Sequence, residues 1–193
     1  ALLAQSFDAR RLTVAGDPEP VATPVAFTNS ERAMASISSE GTLIYREGKP
    51  GSLSSLVQLD RQGQPAAVIR EREVLSGVSL SHDGTRLAFA VFKAGESSQD
   101  LWIQDLSRKL ASRLTFENTD EFGPTWSPDD RFVYYGSRER NDGAIFRRPA
   151  DGTGTAEEIG TTQSGIWPQA VSGDGLWLVI GSQGAGTNSD ILR

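Results

Sequence analysis

The stretch that decides the fold is residues 124–137, which spell Pro-Thr-Trp-Ser-Pro-Asp-Asp-Arg-Phe-Val-Tyr-Tyr-Gly-Ser. Three other stretches, residues 35–45, 78–90 and 168–182, follow the same pattern of an apolar run, a short polar turn and a second apolar run. Alignment on the second turn residue gives steps of 43, 46 and 45 residues between Gly41, Gly84, Asp130 and Gly175. Self-similarity at a period of this size indicates a repeat architecture.

Each copy predicts a strand, a tight turn and a second strand. The turns combine proline, which fixes φ, aspartate, which hydrogen-bonds its own backbone, and glycine, which accepts a positive φ. Three turns depart from this pattern, because Glu40 replaces the usual aspartate, Asp130 the glycine and Gly173 the proline, and a different turn type is expected there. The hydroxyl groups of Ser81 and Ser127 are expected to cap their turns.

A third and a fourth strand follow each hairpin. Four antiparallel strands repeated every 43 to 46 residues are the signature of a β-propeller blade. The sequence therefore predicts an all-β fold of four-stranded antiparallel meanders, with about four blades or a partial propeller. The predicted boundaries are 1–22 for the outer strands of a split blade, 23–70, 71–115 and 116–160 for three continuous blades, and 161–193 for the inner strands of the split blade. The inner-strand residues expected to face a neighbouring blade are Ile37, Leu80, Trp126 and Ala170.

The composition excludes several classes of function. The 193 residues include no cysteine and one histidine, His82, so thiolate chemistry and zinc sites built from several histidines are ruled out. His82 takes the place of a turn proline, and no catalytic or metal-binding role is expected for it. The net charge of −6 argues against sequence-independent nucleic-acid binding. No apolar run approaches the roughly 18 residues of a membrane span, so direct membrane insertion is not expected. No cofactor is expected either.

The repeats resemble a known family. Residues 100–106, Asp-Leu-Trp-Ile-Gln-Asp-Leu, and residues 112–115, Ser-Arg-Leu-Thr, follow Asp-Gly-type turns in the manner of TolB-like (WD-type) β-propellers. A longer pattern, which includes residues 2–12, 16–22 and 59–63, is most similar to the C-terminal propeller segment of bacterial eukaryotic-like Ser/Thr protein kinases. This resemblance implies a periplasmic or other extracytoplasmic location and a protein or peptide partner. The sequence has no glycine-rich loop with a strand lysine, no His-Arg-Asp and no Asp-Phe-Gly, so it is expected to be non-catalytic.

Candidate binding residues lie in the links between an outer strand and the next inner strand, a position that opens toward the central channel in propellers. Asp120 and Glu121 are predicted ligands for a cation or a basic peptide group, with a solvated acidic loop as the alternative. Trp167 lies in the equivalent link one blade on, and is either an exposed anchor for a partner or a residue buried between blades. Glu73 completes the predicted site at the channel mouth.

Three functional hypotheses remain open from the sequence. The first is a non-catalytic protein-interaction or sensor module of a larger bacterial signalling protein. The second is the accessory, substrate-gating propeller of a prolyl-oligopeptidase-like or tricorn-like peptidase, and the third is a periplasmic partner-binding protein of the TolB kind. Because the half-blades at the two ends leave open strand edges, which recruit partners, a homodimer or another edge-pairing association is expected in preference to a closed monomer.

Overall fold

The fold consists of β-strands joined by turns. The computed structural model describes residues 1–25, 35–46, 54–60, 63–73, 75–92, 98–138, 143–161, 166–182 and 190–192. These residues form seventeen strands and no helix, so none of them lies in a helix able to cross a membrane. The strands are β1 (Leu2–Asp8), β2 (Thr13–Ala22), β3 (Ala35–Ile37), β4 (Leu43–Arg46), β5 (Ser54–Leu59), β6 (Pro65–Glu73), β7 (Leu75–Leu80), β8 (Arg86–Phe92), β9 (Gln99–Asp105), β10 (Leu110–Arg113), β11 (Glu121–Trp126), β12 (Phe132–Ser137), β13 (Ala144–Pro149), β14 (Glu157–Thr161), β15 (Ile166–Val171), β16 (Leu178–Ser182) and β17 (Asp190–Leu192).

The strands form antiparallel sheets that follow the order of the chain. Strands β3–β6, β7–β10 and β11–β14 make three four-stranded meanders, β15–β17 make a three-stranded sheet, and β1 and β2 form a separate hairpin. The first strands of successive meanders, β3, β7, β11 and β15, lie next to one another. This is the arrangement of β-propeller blades around a central axis, and the predicted all-β fold of four-stranded blades is confirmed.

Strand β8 shows how the blades share their core. Its larger side chains, Leu87 and Phe89, pack in a cluster with Ile44 and Leu56 of the preceding blade. Its small side chains, Ala88 and Ala90, face the opposite way and pack in a second cluster with residues of the following blade, including Trp126, Val133 and Tyr135. Successive side chains of a strand point to opposite faces, so a strand that is apolar on both faces joins two interfaces.

Two of the four inner-strand predictions are correct. Trp126 is 2% exposed, and its indole N–H donates to the carbonyl oxygen of Ser79 in the preceding blade at 2.8 Å. Leu80 is buried in the same manner against the blade before it.

The predictions for Ile37 and Ala170 are wrong. Ile37 is exposed, because the element that precedes its blade among the described residues is the hairpin β1–β2, which supplies no inner strand to cover it. Ala170 is exposed and lies one position out of register with Trp126: Val171 pairs with Leu178, as Trp126 pairs with Val133 in the preceding blade.

The turns between first and second strands share one hydrogen-bond pattern. Ser81 Oγ donates to Asp83 at 2.6 Å and accepts the backbone N–H of Arg86 at 2.9 Å, and the same bonds recur around Ser127 and Ser172. The predicted caps are therefore confirmed. A different turn type at Asp130 and Gly173 is not found, because φ is +56° at Asp130 and +72° at Gly175, beside +71° at Gly84. The turn that contains Glu40 does differ, since Ser38 bonds Thr42 and closes one residue earlier.

Asp130 holds two blades together. Its carboxylate accepts the backbone N–H of His82 at 2.8 Å and that of Asp83 at 3.0 Å, and lies 2.9 Å from Nδ1 of His82. We call these contacts the turn latch. The two departures from the repeat compensate each other, because a histidine in place of proline supplies an N–H and an aspartate in place of glycine accepts it. On the other side, Ser39 Oγ donates to the carbonyl oxygen of His82 at 2.6 Å, so three successive turns are joined.

Removal of the turn latch is expected to destabilise the protein moderately. Asp130→Gly should lower the free energy of unfolding by about 1–2 kcal/mol, because the loss of charge-assisted hydrogen bonds outweighs the relief of a left-handed backbone. In a His82→Pro background one of the bonded N–H groups is already gone, so the same substitution should cost less. A double-mutant cycle in urea measures this coupling, and an equal cost in both backgrounds would show that the latch does not join the blades.

Candidate functional site

The predicted site residues lie where inner strands begin, at the end of the blades opposite the turns. Asp120 immediately precedes β11, Glu121 is its first residue, and Trp167 is the second residue of β15. Glu73 is the last residue of β6, where its backbone pairs with Ser54, and its side chain lies outside the part of the structure that is described. The structure therefore places Asp120, Glu121 and Trp167 on the starts of two neighbouring strands.

Asp120 is the partner of an exposed arginine. Its Oδ2 lies 2.7 Å from a terminal guanidinium nitrogen of Arg138, and its backbone carbonyl accepts the N–H of the same residue at 3.1 Å. The second carboxylate oxygen, Oδ1, is buried and has no hydrogen-bond partner. Arg138 itself is 69% exposed and lies 4.9 Å from the ring centroid of Phe122. These contacts make Asp120 part of an ordered ion pair and not of a solvated acidic loop.

Glu121 lies in the interior. The residue is 1% exposed, and its carboxyl group accepts hydrogen bonds from the hydroxyl groups of Thr119 and Thr115. The first residues of the neighbouring inner strands, Leu75 and Ile166, are buried in the same way, so Glu121 stands where these two blades carry an aliphatic side chain. A side chain enclosed in this manner does not fit the predicted role of a ligand at the channel mouth.

Burial determines the acidity of Glu121. Desolvation raises its pKa to about 7, the two threonine hydroxyls lower it, and the nearby carboxylates of Asp100 and Glu117 raise it. Asp100 is held in turn by Arg113, whose guanidinium lies 2.7 Å from Oδ2 of that carboxylate. Adjacent residues on a strand point to opposite faces, which explains why Asp120 and Glu121 have unrelated surroundings.

Trp167 covers a glycine on the neighbouring strand. Its Cε2 and Nε1 atoms lie 2.5 Å from the point that a Cβ on Gly181 would occupy, and the two residues are direct partners in the register of β15 and β16. Phe122 covers Gly136 in the same way, with its Cε2 at 2.6 Å from the corresponding point. An aromatic ring laid over a cross-strand glycine is a recognised stabilising pair in sheets.

Phe122 is the site residue that sequence reasoning missed. The signal was present, because each aromatic residue precedes its glycine by the same fourteen positions, Phe122 to Gly136 and Trp167 to Gly181. The two strands that carry them are adjacent, since a Cβ on Gly123 would lie 3.9 Å from the Cβ of Trp167. We call Phe122, Trp167 and the ion pair of Asp120 with Arg138 the strand-start surface.

A second group of charged residues lies along the link into β11. Phe116 is exposed, and the guanidinium groups of Arg113 and Arg148 lie 5.1 Å and 5.8 Å from its ring centroid. Arg148 also pairs with Glu117 at 3.1 Å. Positive and negative groups balance here, and no set of three histidine, aspartate or glutamate side chains in the described ranges is arranged to hold a metal ion.

The strand-start surface is suited to recognition. It offers the partly exposed rings of Phe122 and Trp167 and the exposed guanidinium of Arg138. Glu121, the group beside it with a pKa near neutrality, is shielded from solvent. His82 lies in the turn latch at the other end of the blades. The groups at this end can therefore bind an apolar, cationic or hydrogen-bonding partner.

Comparison with known proteins identifies the fold. No family model matches the sequence. An uncharacterised protein of Agrobacterium fabrum is 25% identical over 158 residues, which cover 81% of this chain and 53% of that protein. The crystal structure of TolB from Acinetobacter baumannii matches with a TM-score of 0.73 at 19% identity, over 98% of this chain and 45% of that chain. A prolyl endopeptidase structure matches with a TM-score of 0.62 at 17% identity, over 81% of this chain and 27% of that chain.

The chain has the fold of TolB-like β-propeller blades. At these identities the likeness to solved structures shows the fold alone, because one fold carries many functions. The chain spans about half the length of the relatives it matches. The resemblance to TolB-like propellers is confirmed, whereas similarity to the propellers of Ser/Thr kinases is not shown and stays a prediction.

Proposed function

We propose that this chain is a non-catalytic β-propeller module that binds a protein or peptide partner through the strand-start surface. The observation that carries the proposal is the pair of half-buried aromatic rings of Phe122 and Trp167 on adjacent inner strands, beside an exposed arginine. Aromatic and arginine side chains contribute most of the binding energy at protein interfaces. Strands and cross-strand glycine contacts fix both rings, so little conformational entropy is lost when a partner binds.

The non-catalytic part of the proposal rests on side-chain chemistry. The sequence has no cysteine, and Nδ1 of its single histidine, His82, is in hydrogen-bond contact with the Asp130 carboxylate in the turn latch. Our proposal places this module in a larger bacterial signalling protein, on the strength of the sequence resemblance to kinase-linked propellers. Pairing of two copies through open blade edges is part of the same proposal. It is supported by the sheet topology of the described residues, in which β1–β2 and β15–β17 belong to separate sheets and do not form one blade.

The likeness to a prolyl endopeptidase favours a second candidate function. As an accessory propeller of a peptidase, the chain would admit or hold a peptide through the strand-start surface. The two functions differ in the partner, because a sensor module would bind one sequence tightly whereas a gating propeller would bind many peptides weakly.

Selection from a random peptide library tests the proposed function. We expect peptides that bind the purified chain, and we expect Trp167→Ala to weaken the selected peptides about tenfold or more. The matched control is Trp177→Ala, since Trp177 is 57% exposed in the turn at the opposite end of the blades. Affinity measured by calorimetry that depends on Trp177 and not on Trp167, or a selection that yields no binder, would contradict the proposal.

A further inference from the structure

Two neighbouring blades place an aromatic ring at the same position, and in one of them the ring is covered by a cation. In the blade β11–β14, one side of Phe122 lies against Gly136 and the guanidinium of Arg138 lies 4.9 Å from its ring centroid. Asp120 fixes that guanidinium with an ion pair of 2.7 Å. Phe122 is thus an occupied cation–π site.

The next blade carries the larger ring without the cation. Trp167 lies over Gly181 as Phe122 lies over Gly136, in the same register. The positions that correspond to Asp120 and Arg138 are Gly165 and Gln183 in the sequence, and neither residue type is charged. Within the described ranges, guanidinium groups lie over Phe116, Phe122, Trp126 and Phe132, and none lies over Trp167.

We infer that Trp167 is the receiving site for an arginine side chain of the partner. The inference rests on the proposed function, because it names the chemical group through which the partner binds. Indole is the aromatic ring that attracts cations most strongly, and Trp167 is half-buried, so part of its ring stays accessible. The occupied site one blade away shows that a guanidinium fits over a ring held at this position. The net charge of −6 favours the approach of a cationic segment.

Nuclear magnetic resonance of the indole N–H groups tests this inference directly. The probe is N-acetyl-arginine amide, and its matched control is N-acetyl-citrulline amide, which has nearly the same shape and no charge. We expect the arginine probe to shift the Trp167 indole signal saturably, with an apparent affinity about threefold or more above that of the citrulline probe. The exposed Trp177 indole reports nonspecific stacking in the same spectrum. Equal responses of Trp167 to both probes, or a response no larger than that of Trp177, would overturn the inference.

A second variant uses the occupied site as an internal standard. Arg138 is 69% exposed, so Arg138→Gln should fold normally while it uncovers Phe122 beside Asp120. We expect a second saturable site for the arginine probe, reported by the backbone signal of Gly136. If the variant gains no such site, the geometry at this position does not bind guanidinium groups, and the inference fails.

The outcomes separate this inference from the proposed function. Peptides that bind through Trp167 but carry no arginine or lysine would overturn the arginine site and leave the partner-binding surface in place. A saturable arginine response at Trp167 without any peptide binder would support the site and contradict the partner-binding proposal.

Discussion

Replacement of Trp126 with alanine is expected to lower the free energy of unfolding by about 3–5 kcal/mol. The side chain is 2% exposed and packs against residues of two blades. Its indole N–H bonds the carbonyl oxygen of Ser79, and the guanidinium of Arg86 lies 4.8 Å from its ring centroid. Truncation therefore leaves a cavity between blades and a carbonyl without its donor, a large loss against the roughly 5–15 kcal/mol that stabilises a typical domain. Urea unfolding followed by far-ultraviolet circular dichroism measures the change.

Two controls separate packing from hydrogen bonding at this position. Trp126→Phe keeps an aromatic ring and removes the indole N–H, so its cost should be about 1–2 kcal/mol. Trp177→Ala removes an exposed tryptophan and should change stability by about 0.5 kcal/mol or less. A midpoint for Trp126→Ala equal to that of the parent protein would mean that Trp126 does not join the two blades.

Features that depend on residues close in the chain could be predicted from the sequence. The turn around Ser127 is one example, because its serine, aspartate and backbone partners all lie within six positions of one another. The period of the repeat then determines how many such hairpins there are, which is why the all-β fold of four-stranded blades was predictable. The burial of Trp126 was predicted from its apolar position before the turn, and Ile37 shows that this position is buried only where a neighbouring blade covers it.

Features that depend on contacts between blades could not be predicted in this way. His82 and Asp130 lie 48 positions apart, and their departures from the repeat compensate only when the two turns are adjacent in space. The exposure of Ile37 depends on the hairpin that precedes its blade. Both cases concern the neighbour of a blade and not the blade itself.

The candidate site was predictable in position but not in side-chain direction. Because Asp120 and Trp167 lie in links into inner strands, the sequence predicted that both residues are near the same end of the blades, and they are. Alignment of the strand starts would have gone further, because Glu121 stands in line with Leu75 and Ile166, and a carboxyl group at an aliphatic position indicates burial. The comparison of equivalent positions across blades is therefore a stronger guide to side-chain burial here than any single motif.

Glu121→Gln is expected to remove most of the pH dependence of stability near neutrality. The pKa of Glu121 is about 7 in the folded protein, compared with 4.5 in the unfolded chain. Burial is the main cause of this increase, because it disfavours the charged form. Between these values the folded chain holds a proton that the unfolded chain releases, so the free energy of unfolding falls as the pH rises through this range. A shift of this size corresponds to a loss of up to about 3 kcal/mol, complete above pH 7.

Comparison of the parent protein with Glu121→Gln isolates the contribution of this carboxyl group to the pH dependence. The charged groups that face it, Asp100 on β9 and Glu117 in the link before β11, are present in both, as is His82 at the other end of the blades. Glutamine cannot ionise, so the free energy of unfolding of Glu121→Gln relative to that of the parent protein should increase steadily from pH 5 to about pH 8. Glu121→Leu, which restores the residue type of Leu75, should show the same flattened profile, because the effect comes from removal of a buried charge. Parallel profiles for the parent and both variants would mean that the Glu121 carboxyl ionises freely in the folded protein and is not enclosed between the blades.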